Sequence, residues 1–286
     1  MKKIFYSIFL IIFVILFFSI TILSTIGIET KSFNNLVTQK INKSNNNISL
    51  NLNSIKFKLD IKEIGLFLET KNPNIIYRNV DIPAKNIKVY INFLSLFNFK
   101  NEIKKINLVF DQVDIKQIKK ISKSFKPSNF TSFLNTKLDQ GKMNTEIDVY
   151  FNEKNLLDNF IARGSITDLK IEVLDNLNLE KSSFTFFADT TDILIKNFKS
   201  KTNSLVINDG DLRLNLSSGV LLNTNFKTKI EYNLGDNMLL NLPFNLKHIK
   251  DVTELKAEFL SSFSVHLDET YKIKSYDYKN NGKIIK

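Results

Sequence analysis

The 286-residue chain contains no cysteine and no tryptophan, and only two histidines, four prolines and eight glycines. Without cysteine it has no disulfide staples, thiolate metal sites or cysteine nucleophiles. His248 and His266 do not form a His-x3-His spacing, which argues against a zinc-type ligand set. His266 alternates with Val265 and Leu267 and reads as a residue on the wet side of a strand. The glycines are scattered singly, so no phosphate-binding loop is formed, and Gly164-Ser165 lacks the rest of a Gly-x-Ser-x-Gly elbow. Asp60, Asp81, Asp168, Asp209 and Asp211 fall in polar strand faces or turns, as solvated groups rather than catalytic pairs. These absences predict a non-enzyme with no catalytic residue, no cofactor and no metal.

Arginine is also scarce. Arg78, Arg163 and Arg213 are the only three in a chain of formal net charge +11. The residue that reads bases bidentately is nearly missing, so no nucleic acid is expected as a partner. The lysines are spread thinly among Asn and Ile, as an AT-biased codon composition produces, with a secondary preference for acidic lipid surfaces.

What the chain does have is one long apolar run. Ile4 to Ile28 holds 25 residues without a charge. As a helix that run is about 37 Å long, enough to cross a hydrocarbon core of about 30 Å. A secretory signal would have an apolar region of about 7 to 15 residues and a small-residue cleavage site after it, and a buried core helix seldom runs so far without a charge. The expectation is an uncleaved, single-pass anchor. Lys2 and Lys3 precede the span, whereas Glu29 and Lys31 nearly cancel after it. The N-terminus is therefore expected in the cytoplasm and the bulk of the chain outside it.

Beyond the anchor, Phe33, Leu36, Val37 and Ile41 predict a short amphipathic helix, capped by Thr30 or Ser32 and ended by the run from Ser44 to Asn47. The period then changes to two. Ile48, Leu50 and Leu52, followed after one extra residue by Ile55, Phe57, Leu59 and Ile61, predict one long strand with a bulge near Asn53 and Ser54. Leu66 and Leu68 continue the meander, Asn72-Pro73-Asn74 turns it, and Ile87, Val89, Ile91, Ile106, Leu108 and Phe110 add strands. Asp114 to Leu138 reads as two helical pieces, broken by Pro127 and restarted at Ser128.

A second meander follows. Its predicted strands centre on Ile147 to Phe151, Phe160 to Gly164, Leu169 to Val173, Phe184 to Ala188, Ile193 to Ile195, Leu205 to Ile207, Leu212 to Leu216 and Phe226 to Ile230. Asp209-Gly210 carries a hairpin signal, and Leu255 to Leu267 with Tyr271 to Tyr278 forms a further hairpin. Asn280-Asn281-Gly282 reads as one more turn with four residues beyond it, as a fragment of a longer protein would end. The expected fold is mainly β: an N-terminal transmembrane helix, then antiparallel meanders with a few short capping helices. The expected division is 1–28 for the tip and anchor, 29–140 for the first meander and 141–286 for the second.

Two short helical stretches cannot cover about a dozen half-dry strands. Either the sheet curls onto itself as a sandwich or barrel, or its dry face lines an elongated, curved groove that something else fills. A membrane anchor favours the groove, because an acyl chain gains about 0.8 kcal/mol per buried CH2. The expected lining runs through Leu50, Leu52, Phe57, Leu59, Ile61, Val89, Ile91, Leu108 and Phe110 in the first meander. In the second it runs through Ile147, Val149, Phe151, Ile171, Val173, Phe184, Phe186, Leu212, Leu214, Leu216, Phe263 and Val265.

The chain resembles the AsmA-like family of Gram-negative envelope proteins, with its TamB and YhdP branches, related to the chorein-type bridge-like lipid transporters. The likeness lies in the anchor, the segment Gly27-Ile28-Glu29-Thr30-Lys31-Ser32-Phe33-Asn34, the amphipathic strand from Ile48 to Ile61, Asn72-Pro73-Asn74-Ile75 ahead of Ile82-Pro83, and Gly164-Ser165-Ile166-Thr167-Asp168-Leu169. The resemblance implies an inner-membrane anchor carrying a periplasmic, taco-shaped β-groove that conveys phospholipid between inner and outer membrane, with envelope proteins as partners. At this length the groove is too short to cross a periplasm alone. Two other readings stay open: a structural or assembly factor of the envelope whose closed β-sandwich binds protein partners by strand addition, and an adhesin-like β domain on an anchor.

Overall fold

The computed structural model describes residues 2–31, 34, 38–39, 47–63, 65–91, 103–152, 154, 156–174, 177–202, 204–217, 219–233, 254–268 and 272–285. The predicted helix around Phe33 to Ile41 lies largely outside these, as does His248. Helix α1 spans Lys2–Thr25 and is long and apolar enough to cross a membrane, with a mean hydropathy of 2.8 over Tyr6–Thr25. Its last hydroxyls bond back along the helix, Thr21 Oγ1 to Phe17 O and Thr25 Oγ1 to Thr21 O, so they need no water. The helix stops at Gly27, whose φ of 75° is the left-handed conformation that ends helices, and whose N–H donates to Ile22 O at 2.8 Å.

Strands account for most of the rest. They are β1 (Ile28–Thr30), β2 (Ile48–Asn51), β3 (Ile55–Asp60), β4 (Gly65–Lys71), β5 (Asn74–Tyr77), β6 (Val80–Ile82), β7 (Ala84–Ile91), β8 (Ile103–Asp114) and β9 (Lys142–Phe151). After them come β10 (Leu157–Leu174), β11 (Leu177–Ala188), β12 (Asp192–Lys201), β13 (Leu205–Asn215), β14 (Val220–Asn233), β15 (Glu254–Leu267) and β16 (Ile273–Ile284). A 13-stranded sheet runs in the order β1-β3-β4-β7-β8-β9-β10-β11-β12-β13-β14-β15-β16, and a three-stranded sheet in the order β2-β5-β6. The recorded pairings are antiparallel. The chain forms two compact units, Met1–Phe110 with Ile147–Asn159, and Asp111–Glu146 with Phe160–Lys286.

In the first unit the single bulged strand expected over Ile48 to Ile61 is two strands in different sheets. β2 pairs with β5, whereas β3 pairs with β1 and β4. Leu52, Asn53 and Ser54 carry the chain from one sheet to the other. The two sheets pack face to face through buried Leu50, Leu52 and Ile55, with Leu68 and Ile75 against them.

In the second unit, helices α2 (Ile115–Lys123) and α3 (Asn129–Lys137) form where the spacing of Ile115, Ile118 and Leu134 places them. Asp114 caps α2 by accepting the Lys116 N–H, and Ser128 caps α3 in a reciprocal box with Thr131. Ile118 and Leu134 pack with buried Ile115, Leu138 and Leu169 over Ile166, Ile171 and Phe184 of the sheet.

Three predicted breaks in this unit are not breaks. Phe160 to Gly164 and Leu169 to Val173 belong to the single strand β10, Asp209-Gly210 lies inside β13, and Asn280-Asn281-Gly282 lies inside β16. Bulges explain the first two. Register shifts occur, among other places, at Ile166/Leu169, Glu180/Ser183 and Ile207/Asp209, and in β12 around Asn197. Each extra residue flips the inward phase and bends the strand, which in sequence imitates a turn. Asp168, Lys181 and Asn197 adopt left-handed φ at three of these sites.

The glycines serve another purpose. Gly164, Gly210 and Gly282 sit directly opposite Phe186, Phe226 and Phe259. A Cβ on Gly210 would come within 2.4 Å of the Phe226 ring and one on Gly282 within 2.3 Å of the Phe259 ring, while at Gly164 the Asn144 carbonyl oxygen, 2.1 Å from that position, leaves no room for a side chain. Gly210→Val is expected to destabilise the fold by about 1–3 kcal/mol through overpacking. Urea unfolding of Gly210→Val with and without Phe226→Ala should show strong coupling between the two sites; simple additivity would refute the ring contact.

Candidate functional site

The register of β3, β4, β7 and β8 sorts the first unit into an apolar and a polar face. On the apolar face, Leu68 faces Val89 and Val89 faces Ile106, while Thr70 faces Ile87 and Ile87 faces Leu108. Above these rows lie β2 and β5. Between the two sheets is a cavity of about 320 Å³, bounded by Ile48, Leu50, Leu52 and Ile75 on one side and by Ile55, Leu68, Ile87, Val89, Ile106, Leu108 and Val149 on the other. Glu69 and Thr70 also contribute, yet the wall is almost wholly carbon. Its size falls within the range of about 300–1,000 Å³ usual for ligand pockets.

Five residues of the expected lining border this cavity: Leu50, Leu52, Val89, Leu108 and Val149. Phe57, Leu59, Ile91, Phe110, Ile147 and Phe151 are half-buried and lie outside it, and Ile61 is exposed in the turn after β3. Sequence reasoning passed over Ile87 and Ile106 as lining, although they share the period-two phase of Val89 and Leu108. Ile75 had no such signal, because β5 reaches the cavity through the second sheet.

In the second unit the register aligns two further apolar rows. One runs Phe186, Ile195, Leu212, Thr224, Phe263 and Tyr278; the next runs Ala188, Ile193, Leu214, Leu222, Val265 and Tyr276. Phe184 shares this face and contacts Phe198, which meets Phe226 edge-on, with centroids 5.8 and 5.9 Å apart. Ile171 belongs instead to the core under the helices, Val173 lies in β10, and Leu216 is exposed in the turn after β13.

Compared with protein-family models, curated proteins and solved structures, the chain shows no match.

The opposite face of the first unit corrects the expectation of a uniformly wet strand side. Glu69, Lys105, Asn107 and Asp148 are all buried there. Lys58 Nζ lies 2.7 Å from Glu69, to which Asn86 Nδ2 also donates at 2.8 Å. Lys105 Nζ donates to Glu63 at 2.7 Å, lies 3.9 Å from Asp148 and sits 4.4 Å from the centre of the Tyr90 ring. Asn107 Nδ2 donates to Asp148 at 2.8 Å, and Tyr90 Oη donates to Asp60 at 3.3 Å. Burial, together with the carboxylates of Asp60 and Glu63, pushes the Tyr90 phenol far up, so it stays protonated. Such a network braces the sheet behind the cavity. Among the described residues no group of three metal-binding side chains is assembled.

Burial disfavours the Glu69 carboxylate, but hydrogen bonds from Lys58 and Asn86 and the charges of Lys58 and Lys88 outweigh it and hold the group below its ordinary value of 4.5. A depressed folded value contributes stability above the unfolded pKa and loses it as pH falls through the folded one. The stability gap between the native protein and Glu69→Gln should thus be widest near neutral pH and shrink on acidification below about 4.5. Urea titrations across that range check this, and a gap independent of pH would contradict it.

Proposed function

We propose that the chain is a single-pass, membrane-anchored, non-enzymatic lipid-binding protein that shelters acyl chains on the apolar side of its β-sheet. The observation that carries this reading is the carbon-walled cavity between β2-β5 and the sheet strands around Val89, Leu108 and Val149. At about 30 Å³ per methylene-sized group, it has room for an alkyl segment of about ten carbons. Burying eight of them would contribute about 6 kcal/mol. The apolar rows of the second unit offer the same chemistry along a continuous sheet face, as a groove would. In this reading Lys2 and Lys3, at the start of α1, and the AsmA-like pattern favour a cytoplasmic N-terminus, a periplasmic remainder, an inner-membrane anchor and phospholipid on its way between inner and outer membrane as cargo.

Photocrosslinking residues placed at Val89, Leu108 and Val149 in the full chain test the reading directly. Capture of lipid at these positions, and none at exposed Lys71, is expected; a folded protein that captures no lipid at any of them would overturn it.

One observation favours a second role, as an envelope structural or assembly factor that adds a partner's strand. β16 closes the strand order and its twelve residues are all exposed. A partner strand seated there would slow hydrogen exchange along β16.

A further inference from the structure

The first unit carries a second feature that the lipid cavity does not use. β1 begins directly after Gly27, so the sheet starts where α1 ends, with no linker between them. Thr30 faces Ile55 and Ile28 faces Phe57, which means that β3 runs back towards the helix. A Cβ on Gly27 would lie 2.6 Å from Lys58 Cγ, so Lys58 stands level with the end of α1. The chain then continues through Leu59 and Asp60 to Ile61. Three residues at about 3.3 Å each carry Ile61 about 10 Å past that level, about two turns of helix. α1 packs against β3, and Leu23 and Ser24 are half-buried where the other described side chains of the helix are exposed.

A second turn ends on the same side. Asn107 and Lys105 contact Asp148, and Lys105 lies over the Tyr150 ring, so β9 descends alongside β8 towards Ile103. Ile103 faces Ile91, and Ile91 faces Leu66, which faces Leu59 beside α1. The turn that follows Phe151, closed by the Asn152 N–H to Leu156 O bond, therefore emerges at the α1 end of the unit. Both turns have the same design. A polar side chain ties the backbone, Asp60 accepting from the N–H groups of Lys62 and Glu63, Asn152 accepting from those of Lys154 and Leu156. Large apolar side chains are left out in solvent at each tip, Ile61 61% exposed, Leu156 60% and Leu157 63%, with Lys62 and Lys154 exposed beside them.

We propose that these two turns are a second membrane contact: Ile61, Leu156 and Leu157 enter the interfacial layer of the bilayer that α1 crosses, and Lys62 and Lys154 reach its phosphates. Apolar tips flanked by lysines are the composition that binds bilayer interfaces, the ammonium snorkelling to the headgroups while the stem stays apolar. The partner is a lipid surface rather than a protein because the tips continue the apolar span of α1 on the same side of the unit. The proposal rests on the anchor and is independent of whether the cavity holds lipid. Its consequence is geometric: two turns and a helix give three attachment points, enough to hold the first unit at a set tilt above the bilayer instead of letting it swing.

The chain has no cysteine, so single cysteines can be labelled cleanly with an environment-sensitive fluorophore. Full-length Ile61→Cys and Leu157→Cys, reconstituted in vesicles with phosphatidylcholine and phosphatidylglycerol, are compared with Lys71→Cys at the far end of β4 and Ile15→Cys inside α1. Labels at 61 and 157 are expected to shift to the blue and to lose most of their fluorescence to lipids carrying a nitroxide near the headgroup, while the label at 71 does neither. If 15 is quenched by deep nitroxides but 61 and 157 behave like 71, the anchor stands and the second contact is wrong. If 15 is not quenched, the membrane reading falls and the proposal with it. Two tip positions keep the test valid should one variant fail to fold.

Discussion

The double substitution Val89→Phe with Val149→Phe is expected to reduce the lipid that copurifies with the full chain by about tenfold or more, because each two methylenes excluded from the cavity cost about 1.6 kcal/mol of binding. Both side chains border the 320 Å³ space between the two sheets. Phenylalanine there occupies the room an alkyl segment would take while keeping the wall apolar, so the fold loses no burial. Urea unfolding should stay close to that of the native protein, which separates an emptied site from a broken one. Leu108→Asp should empty the cavity as well, but a carboxylate in a carbon-walled space costs several kcal/mol and would also weaken the fold. Mass spectrometry of extracted lipid provides the readout, with Lys71→Ala as an exposed control. Lipid content unchanged in the Val89→Phe, Val149→Phe protein would mean that the cavity is only a packing defect between the sheets.

Lys105→Met should be the most damaging change on the opposite face, with a loss of about 3 kcal/mol. The contact with Glu63 is a small part of that, since Glu63 is half exposed and such pairs are worth at most about 1 kcal/mol. The larger part comes from Asp148, whose side chain is 8% exposed and would keep the Asn107 bond but lose the Lys105 ammonium. Burial would lower the Lys105 pKa, yet Glu63 and Asp148 overcome that and hold it above its ordinary value, so the ammonium is charged at neutral pH. Adding Asp148→Asn to Lys105→Met removes the charge that Lys105 faced and should restore at least half of the loss, as read from chemical unfolding. A double variant no more stable than Lys105→Met would show that the methylene stem over Tyr90, and not the charge, is what matters.

Much of this architecture is legible in residue order. The anchor, the two helices restarted at Ser128, the antiparallel meanders and the inward phase of Val89, Leu108, Leu212 and Val265 all follow from local periods of two and 3.6. Most of the errors share one cause. A one-residue slip in the alternation can be a bulge within a strand or a departure to another sheet, and the side chains look the same in either case. At Asn53 the slip is a departure, and at Asp168 and near Asp209 it is a bulge. Asn281-Gly282 misleads differently, because its glycine makes space for the Phe259 ring and not for a turn.

Sequence alone thus determined what each strand wants to hide and that the chain carries an apolar helix able to hold it at a bilayer, because burial and span length are properties of local runs. Tertiary structure alone decided which strands share a sheet, that β2 and β5 fold over the apolar face to enclose a cavity, and that Lys105 and Asp148 are buried behind it. Those outcomes depend on cross-strand partners between about 17 and 42 positions away, as in Asn86 with Glu69 and Lys105 with Glu63, and no local period records them. It also decided that the end of α1 and two turns with exposed apolar tips lie on one side of the first unit.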